Sequence, residues 1–183
     1  MKLTRTAIPD VLILQPRVFK DSRGHFFESY NRKAFAKATG LDVEFVQDNQ
    51  SLSAKGVLRG LHYQITQPQG KLVRVSAGTI FDVAVDLRRS SPTFGRWVGA
   101  ELSNINFLQM WVPAGFAHGF LVTSDSAEVI YKTTDYYAPA HERCLRWDDS
   151  SLAIEWPRLD IAPIVSGKDA AGATLQRTEL FPA

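Results

Sequence analysis

The segment VLRGLHYQ, residues 57–64, combines a strand-like apolar composition with an arginine and a histidine three positions apart. Arginine offers a planar, bidentate set of donors suited to phosphate or carboxylate. Histidine is the side chain whose ordinary pKa suits proton transfer near neutrality. Strict alternation puts Val57, Arg59, Leu61 and Tyr63 on one face, and Leu58, Gly60, His62 and Gln64 on the other. Arg59 and His62 can share a face only if the strand is irregular between them, and Gly60 is the residue at which a bulge would form. Without a bulge, His62 reads as a satisfied core histidine and Arg59 as a solvated edge residue.

Further ionisable groups stand on apolar segments. Lys71 lies in GKLVRV, Asp82 and Asp86 in TIFDVAVDL, and Tyr131 in AEVIYKT. Buried lysines and aspartates need partners, so an ion pair such as Lys71–Asp82 is expected. In VPAGFAHGFLV, Pro113 and Gly115 make a turn and His118 heads the strand that follows. This pattern resembles the second motif of the cupin superfamily, whose members are jelly-roll barrels with the site in the barrel mouth. Many cupins hold a metal through His-x-His, two imidazoles at i and i+2 on one strand face. Here Gln64 occupies the second of those positions, and His25 and His141 sit in turn-like contexts. A barrel without a resident metal is expected.

Elements must position these groups. Short apolar or alternating runs recur through the chain, punctuated by Gly, Pro, Asp and Ser, and the central ones are spaced as in a sandwich or barrel. NRKAFAKATG reads as a helix with Asn31 as N-cap and Gly40 closing it; a second short helix is expected near SGKDAAGATLQ. The fold class is therefore all-β, a jelly roll or similar double-sheet barrel, and the cupin resemblance implies a cupin-type jelly roll or double-stranded β-helix with a few short helices. With 183 residues and 45% hydrophobic content, residues 1–183 read as one domain with a real core. A net charge of +2 gives no global field for nucleic acid or membrane, so an anionic partner must be met locally. The lone cysteine, Cys144, fits a reducing compartment. The first residues lack the pattern of a secretory leader, and a cytoplasmic location is expected.

Eleven segments in order resemble one family, the dTDP-4-dehydrorhamnose 3,5-epimerases: IPDVLIL, DSRGHFFESYN, FVQDNQS, VLRGLHYQ, QGKLVRV, FDVAVDLR, SPTFGRWVG, PAGFAHGF, YKTTDYYAP, IEW and KDA. The resemblance implies a cofactor-free enzyme acting on a dTDP-linked 4-keto-6-deoxy sugar. By position it implies His62 as base, Asp169 as the carboxylate behind it, Tyr131 as the acid and Lys71 at the keto group. It places Arg23, Glu28, Gln47, Asp48, Asn49, Arg59, His118, Glu142 and Lys168 at substrate-contacting positions; Asp82 is expected in support through its pairing inside the barrel. Read without the resemblance, Asp169 is first a helix cap, since Ser166 and Asp169 form Ser-x-x-Asp, and Tyr131 is first a core residue. The loop ITQPQ differs from some relatives in length and composition, which should affect the rim more than the chemistry.

Such chemistry suits these residue types. A ketone at C4 acidifies the C–H bonds at both C3 and C5, so one base can serve two centres. A carboxylate on the far nitrogen of the histidine fixes its tautomer, and a buried ammonium meets the charge that develops on the ketone oxygen. Arg59 and Arg23 suit the diphosphate, while Gln47 and Asn49 can read a pyrimidine edge. The apolar run VLIL would leave an exposed strand edge on a monomer, and with the resemblance it points to a homodimer that exchanges strands. The rival readings are a single-centre epimerase or 3,4-ketoisomerase on a related sugar, a non-catalytic carbohydrate-binding jelly roll, and a metal-dependent oxygenase.

Overall fold

The structure is a computed structural model that describes residues 1–182. Two antiparallel sheets face one another. In spatial order the first runs β1 (Lys2–Arg5), β2 (Leu12–Gln15), β10 (Gln109–Val112), β7 (Lys71–Ala77), β12 (Ser126–Thr133) and β5 (Gln47–Ala54). The second runs β13 (Glu142–Cys144), β6 (Val57–Gln64), β11 (Phe116–Val122), β8 (Thr79–Asp86) and β9 (Trp97–Ser103), with β14 (Ile164–Val165) pairing in parallel with β6. A separate hairpin joins β3 (Phe19–Asp21) to β4 (Gly24–Phe26). This is a cupin-like jelly roll.

Alternation along the strands builds the core between the sheets. Val73 and Val75 of β7, Met110 and Val112 of β10, and Ala127 and Val129 of β12 meet Ile80 and Ala84 of β8 and Phe116, Phe120 and Val122 of β11. The outer faces are covered too. On the first sheet, Leu12, Leu14, Leu72 and Trp111 lie under helix α1 (Arg32–Thr39), whose Phe35 packs edge-on against Trp111 and Phe45. On the second, Leu61, Tyr63, Val83 and Val85 lie under Leu145, Leu152, Trp156, Leu175 and Phe181 from the C-terminal third. The core closes one end of the barrel and leaves the other to polar side chains.

Helix α1 forms where its end signals place it. Asn31 accepts a hydrogen bond from the Ala34 N–H at 3.1 Å, and Gly40 ends the helix at φ 76°, a left-handed conformation that glycine adopts without a Cβ clash. The second helix is a single turn, α2 (Gly167–Ala170), and Ser166 accepts from the Asp169 N–H at 3.1 Å.

One expectation needs correction. VLIL is not an exposed edge: β2 is flanked by β1 and β10, and Val11 and Leu14 are fully buried. Strand β5 begins only at Gln47, and Val43 and Phe45 before it pack against the α1 side. Among the described residues no helix is long and apolar enough to cross a membrane.

Candidate active site

Strand β6 carries the irregularity that its sequence suggested. His118 pairs with His62, yet Phe120 pairs with Arg59, so β6 has one extra residue between the two pairs. Gly60 takes φ 120°, and a Cβ there would lie 2.6 Å from the Gly119 Cα and 2.8 Å from the His118 carbonyl oxygen. Only glycine fits that close approach. The extra residue inverts the strand's parity. Before it, Val57 packs toward the inter-sheet core and Arg59 lines the cavity; after it, His62 and Gln64 line the cavity while Leu61 and Tyr63 turn to the outer layer. Arg59 and His62 therefore share a face.

The cavity has a volume of about 370 Å³ and opens at the polar end of the barrel. The first sheet supplies one wall, with Gln47, Asn49 and Ser51 of β5, Lys71 of β7 and Tyr131 of β12. The second sheet supplies the other, with Arg59 and His62 of β6, His118 of β11 and Glu142 of β13. His62 and Tyr131 thus stand on facing walls. On its own wall Tyr131 neighbours Asn49 in register, and Lys71 is aligned with Thr133 two residues along.

Each ionisable group has a distinct setting. His62 Nε2 lies 2.5 Å from Asp169 Oδ1, and Asp169 is nearly buried. Burial opposes the Asp169 carboxylate, but the His62 ring, the Ser166 hydroxyl and the Gly60 amide together hold its carboxyl below the usual range. Asp169 is thus a helix-turn residue by its backbone and a partner of His62 by its side chain. Lys71 is 6% exposed and, among the described residues, has no carboxylate within ion-pair distance. Burial lowers its pKa to about 8, although Glu142 and Asp82 pull the other way from farther off. Tyr131 is raised above an ordinary phenol by burial, while the Arg59 charge opposes the shift.

The expected Lys71–Asp82 ion pair is replaced by another. Asp82 Oδ1 is 2.7 Å from His118 Nε2, and its Oδ2 is buried without a partner. The cause is register: Asp82 and His118 sit on adjacent strands of one sheet, whereas Lys71 is across the barrel. Asp82 and Asp86 share the inward face of β8 with Ile80 and Ala84, and both are fully buried.

Glu142 closes the rim. It accepts from Tyr137 Oη at 2.8 Å and pairs with Lys168 Nζ at 2.5 Å, so Lys168 reaches the mouth through it. Burial works against the Glu142 carboxylate, and Lys168 and Tyr137 overcome it to lower the pKa. Tyr137 was not singled out from sequence; an aromatic in a turn just before a proline, TTDYYAP, was the available signal. Gln64 has a structural task at the position where a second imidazole would stand in a metal-binding barrel. It accepts from the Ala138 N–H at 2.8 Å and donates to the Gln67 carbonyl at 2.7 Å, tying down the loop that carries Tyr137. The His, Cys and acid side chains whose donor atoms do converge are His62, Cys144 and Asp169.

Asp169, Asp82 and Lys168 reach the cavity only through His62, His118 and Glu142, and three further predicted positions neither line it nor bond to a side chain that does. Asp48 alternates with Gln47 and Asn49, so it points to the outer face and pairs there with Lys132 at 2.7 Å. Arg23 sits in the turn between β3 and β4, bound to Asp21 at 2.6 Å and largely solvated. Glu28 follows that hairpin and accepts from Asn31 Nδ2 at 3.1 Å.

A cupin-like jelly roll gathers a histidine–carboxylate pair, a buried lysine and a phenol around one cavity, groups able to exchange protons with a ligand held there. Residues 5–177 match the family model described as dTDP-4-dehydrorhamnose 3,5-epimerase. The chain is 63% identical to the dTDP-4-dehydrorhamnose 3,5-epimerase of Pseudomonas aeruginosa over the full length of both. It is 55% identical to that of Shigella flexneri, covering 99% of each chain. Its fold matches the crystal structure of a dTDP-6-deoxy-D-glucose-3,5-epimerase from Legionella pneumophila in complex with dTDP-4-keto-L-rhamnose. The TM-score is 0.96 at 48% identity, covering 100% of this chain and 98% of that one. The chain belongs to the dTDP-4-dehydrorhamnose 3,5-epimerase family, and it is an isomerase.

Proposed function

We propose that this chain, acting as one catalytic domain, converts dTDP-4-dehydro-6-deoxy-D-glucose to dTDP-4-dehydro-L-rhamnose by inverting C3 and C5. The observation that carries the reading is the placement of His62, backed by Asp169, and Tyr131 on facing walls of one cavity beside buried Lys71. Inversion needs a base on one side of the sugar ring and a proton source on the other, and the two sheets supply one each.

Each step follows from the site's own groups. Asp169 engages Nε2, so Nδ1 is the ring nitrogen left to accept a proton. His62 takes the proton from the carbon next to the ketone, and negative charge moves onto the C4 oxygen. Lys71 meets that oxygen as a cation in a poorly hydrated wall, where preorganised charge acts most strongly. Tyr131 gives a proton to the opposite face of the same carbon; His62 then releases its proton to solvent, the Tyr131 phenolate takes one up, and the sequence repeats at the second centre. Nothing is oxidised or reduced overall. Tyr131, held as a neutral phenol by burial, is a donor at neutral pH. Arg59 binds the diphosphate, Gln47 and Asn49 the base, and His118 with Asp82 lines the floor. Glu142 and Lys168 close the rim.

We further infer a homodimer in the cytoplasm. Arg23 and Glu28 do not reach the cavity of their own chain, and the hairpin beside them exposes Phe19 and Phe26. A hairpin laid over a second copy would cover these rings and bring Arg23 and Glu28 to the copy's substrate. A stable monomer at micromolar concentration in sedimentation would remove this part.

Proton NMR of the product formed in deuterated water tests the reaction. Deuterium at both C3 and C5 is the expected result. Label at one carbon alone would identify a single-centre epimerase.

A further inference from the structure

We propose that the pair of His62 and Asp169, together with Cys144, forms an inhibitory site for a thiophilic divalent cation of the zinc type. The donor atoms of the three residues lie within 4.8 Å of one another. His62 Nε2 is 2.5 Å from Asp169 Oδ1, and Cys144 Sγ is 3.8 Å from the same oxygen. Three elements bring them together. Cys144 on β13 is aligned with His62 on β6, and Asp169 projects from the single turn α2. Cys144 is not part of the proton-transfer scheme, yet its sulfur points at the carboxylate that is.

The donor set and its spacing suit such an ion. Imidazole nitrogen, thiolate sulfur and carboxylate oxygen are the ligands that tetrahedral zinc takes, at about 2.0–2.3 Å. Donors around such an ion lie about 3.3–3.6 Å apart. The sulfur-to-oxygen distance is already close to that, the nitrogen-to-oxygen contact must open by about 1 Å, and the nitrogen-to-sulfur pair, within 4.8 Å, must close by up to about 1.3 Å. Behind the imidazole Asp169 is 5% exposed and Cys144 is half-buried, so the carboxylate anchors the site and the side of Cys144 is where solvent can complete the shell. This place lies behind the imidazole, away from the cavity-facing position that a barrel metal would use and that Gln64 fills with its loop contacts.

The consequence for catalysis rests on His62 being the base. A cation on Nε2 takes that nitrogen's lone pair, so the ring proton resides on Nδ1, and Nδ1 can no longer accept one from the sugar. The thiol proton of Cys144 goes to solvent as the metal–sulfur bond forms, and no electron is transferred. The cation therefore stops turnover without occupying the nucleotide's place.

Titration with Co²⁺, a spectroscopic stand-in for Zn²⁺, tests the site without relying on activity. The wild-type protein should develop a thiolate-to-cobalt charge-transfer band saturating at one equivalent, displaced by Zn²⁺. Cys144 is the only cysteine in the chain, so Cys144→Ser, and Cys144→Ala as a second variant, should lack the band while keeping a wild-type circular dichroism spectrum and basal turnover. Zn²⁺ should lower wild-type kcat with dTDP binding unchanged, and the cysteine variants should need at least about tenfold more Zn²⁺ for the same loss. Absence of the band in the wild type, or equal Zn²⁺ sensitivity in the variants, would overturn the site. Retained turnover in His62→Asn would instead overturn the base assignment, and the cobalt band would still report the cation site.

Discussion

Two aspartates four residues apart on β8 share an inward face and are both fully buried, but they live in opposite surroundings. Asp86 accepts from Arg88 Nε at 2.9 Å, Arg88 Nη2 at 2.8 Å, the Arg88 N–H at 3.0 Å, Ser91 Oγ at 2.5 Å and Thr93 Oγ1 at 2.6 Å. Burial opposes its charge, yet these donors hold its pKa at about 2. Arg88 also pairs with Asp10 and stacks over Phe116, so the knot ties the N-terminal segment to the barrel. Asp82 has one partner, His118, and one orphaned oxygen, with Lys71 unpaired across the cavity and Tyr131 held neutral nearby. The satisfied end of the strand is built for stability. The unsatisfied end keeps polar groups free, as the proposed substrate site requires.

Substitutions should separate the two ends. His62→Asn should lower kcat by about 10²- to 10⁴-fold with little change in Tm, as loss of a general base does. If kcat and Tm fell together, the cavity end would be a structural knot like the other. Lys71→Met should lower kcat by about 10²- to 10³-fold and raise stability. The reason is linkage: the native lysine has a pKa near 8 against 10.5 in the unfolded chain, so its charge opposes folding at pH 7. That penalty fades as pH rises from about 8 toward 10.5, and removing the charge should add up to about 3 kcal/mol at pH 7, read from denaturant midpoints.

Asp86→Ala should do the reverse, costing about 3 kcal/mol by leaving Arg88 and two hydroxyls without their acceptor, with kcat of the folded fraction near wild type. Asp82→Asn should cost less stability than Asp86→Ala and more activity; equal effects at both sites would erase the contrast. The mildest effect is on pH dependence. Activity should fall as pH rises through about 8, where Lys71 loses its charge, and this limb should vanish from the residual activity of Lys71→Met.

Local signals carried much of this structure in the sequence. The caps of α1 are single residues acting on adjacent amides, so Asn31 and Gly40 could be read directly. Gly60 between two polar residues announced the parity change, because only a bulge reconciles Arg59 with His62. What depended on register across strands was hidden. Asp82 meets His118 and not Lys71 because of which strands adjoin. Asp48 faces outward because Gln47 and Asn49 face inward, an alternation that the family resemblance passed over. VLIL looked like an open edge because nothing in the sequence shows that the first strand will cover it. Cys144 lay in a short segment with no chemical pattern, and its approach to Asp169 exists only once α2 docks beside β6 and β13.

Deuterium exchange compared between Tyr131→Phe and His62→Asn tests the two-walled site most directly. With substrate in deuterated water, Tyr131→Phe should still exchange the proton beside the ketone while forming little inverted product, because the histidine wall is intact and the phenol wall is not. His62→Asn should exchange nothing. Exchange that survives in His62→Asn, or disappears in Tyr131→Phe while inversion continues, would contradict the assignment of base and acid to the facing sheets.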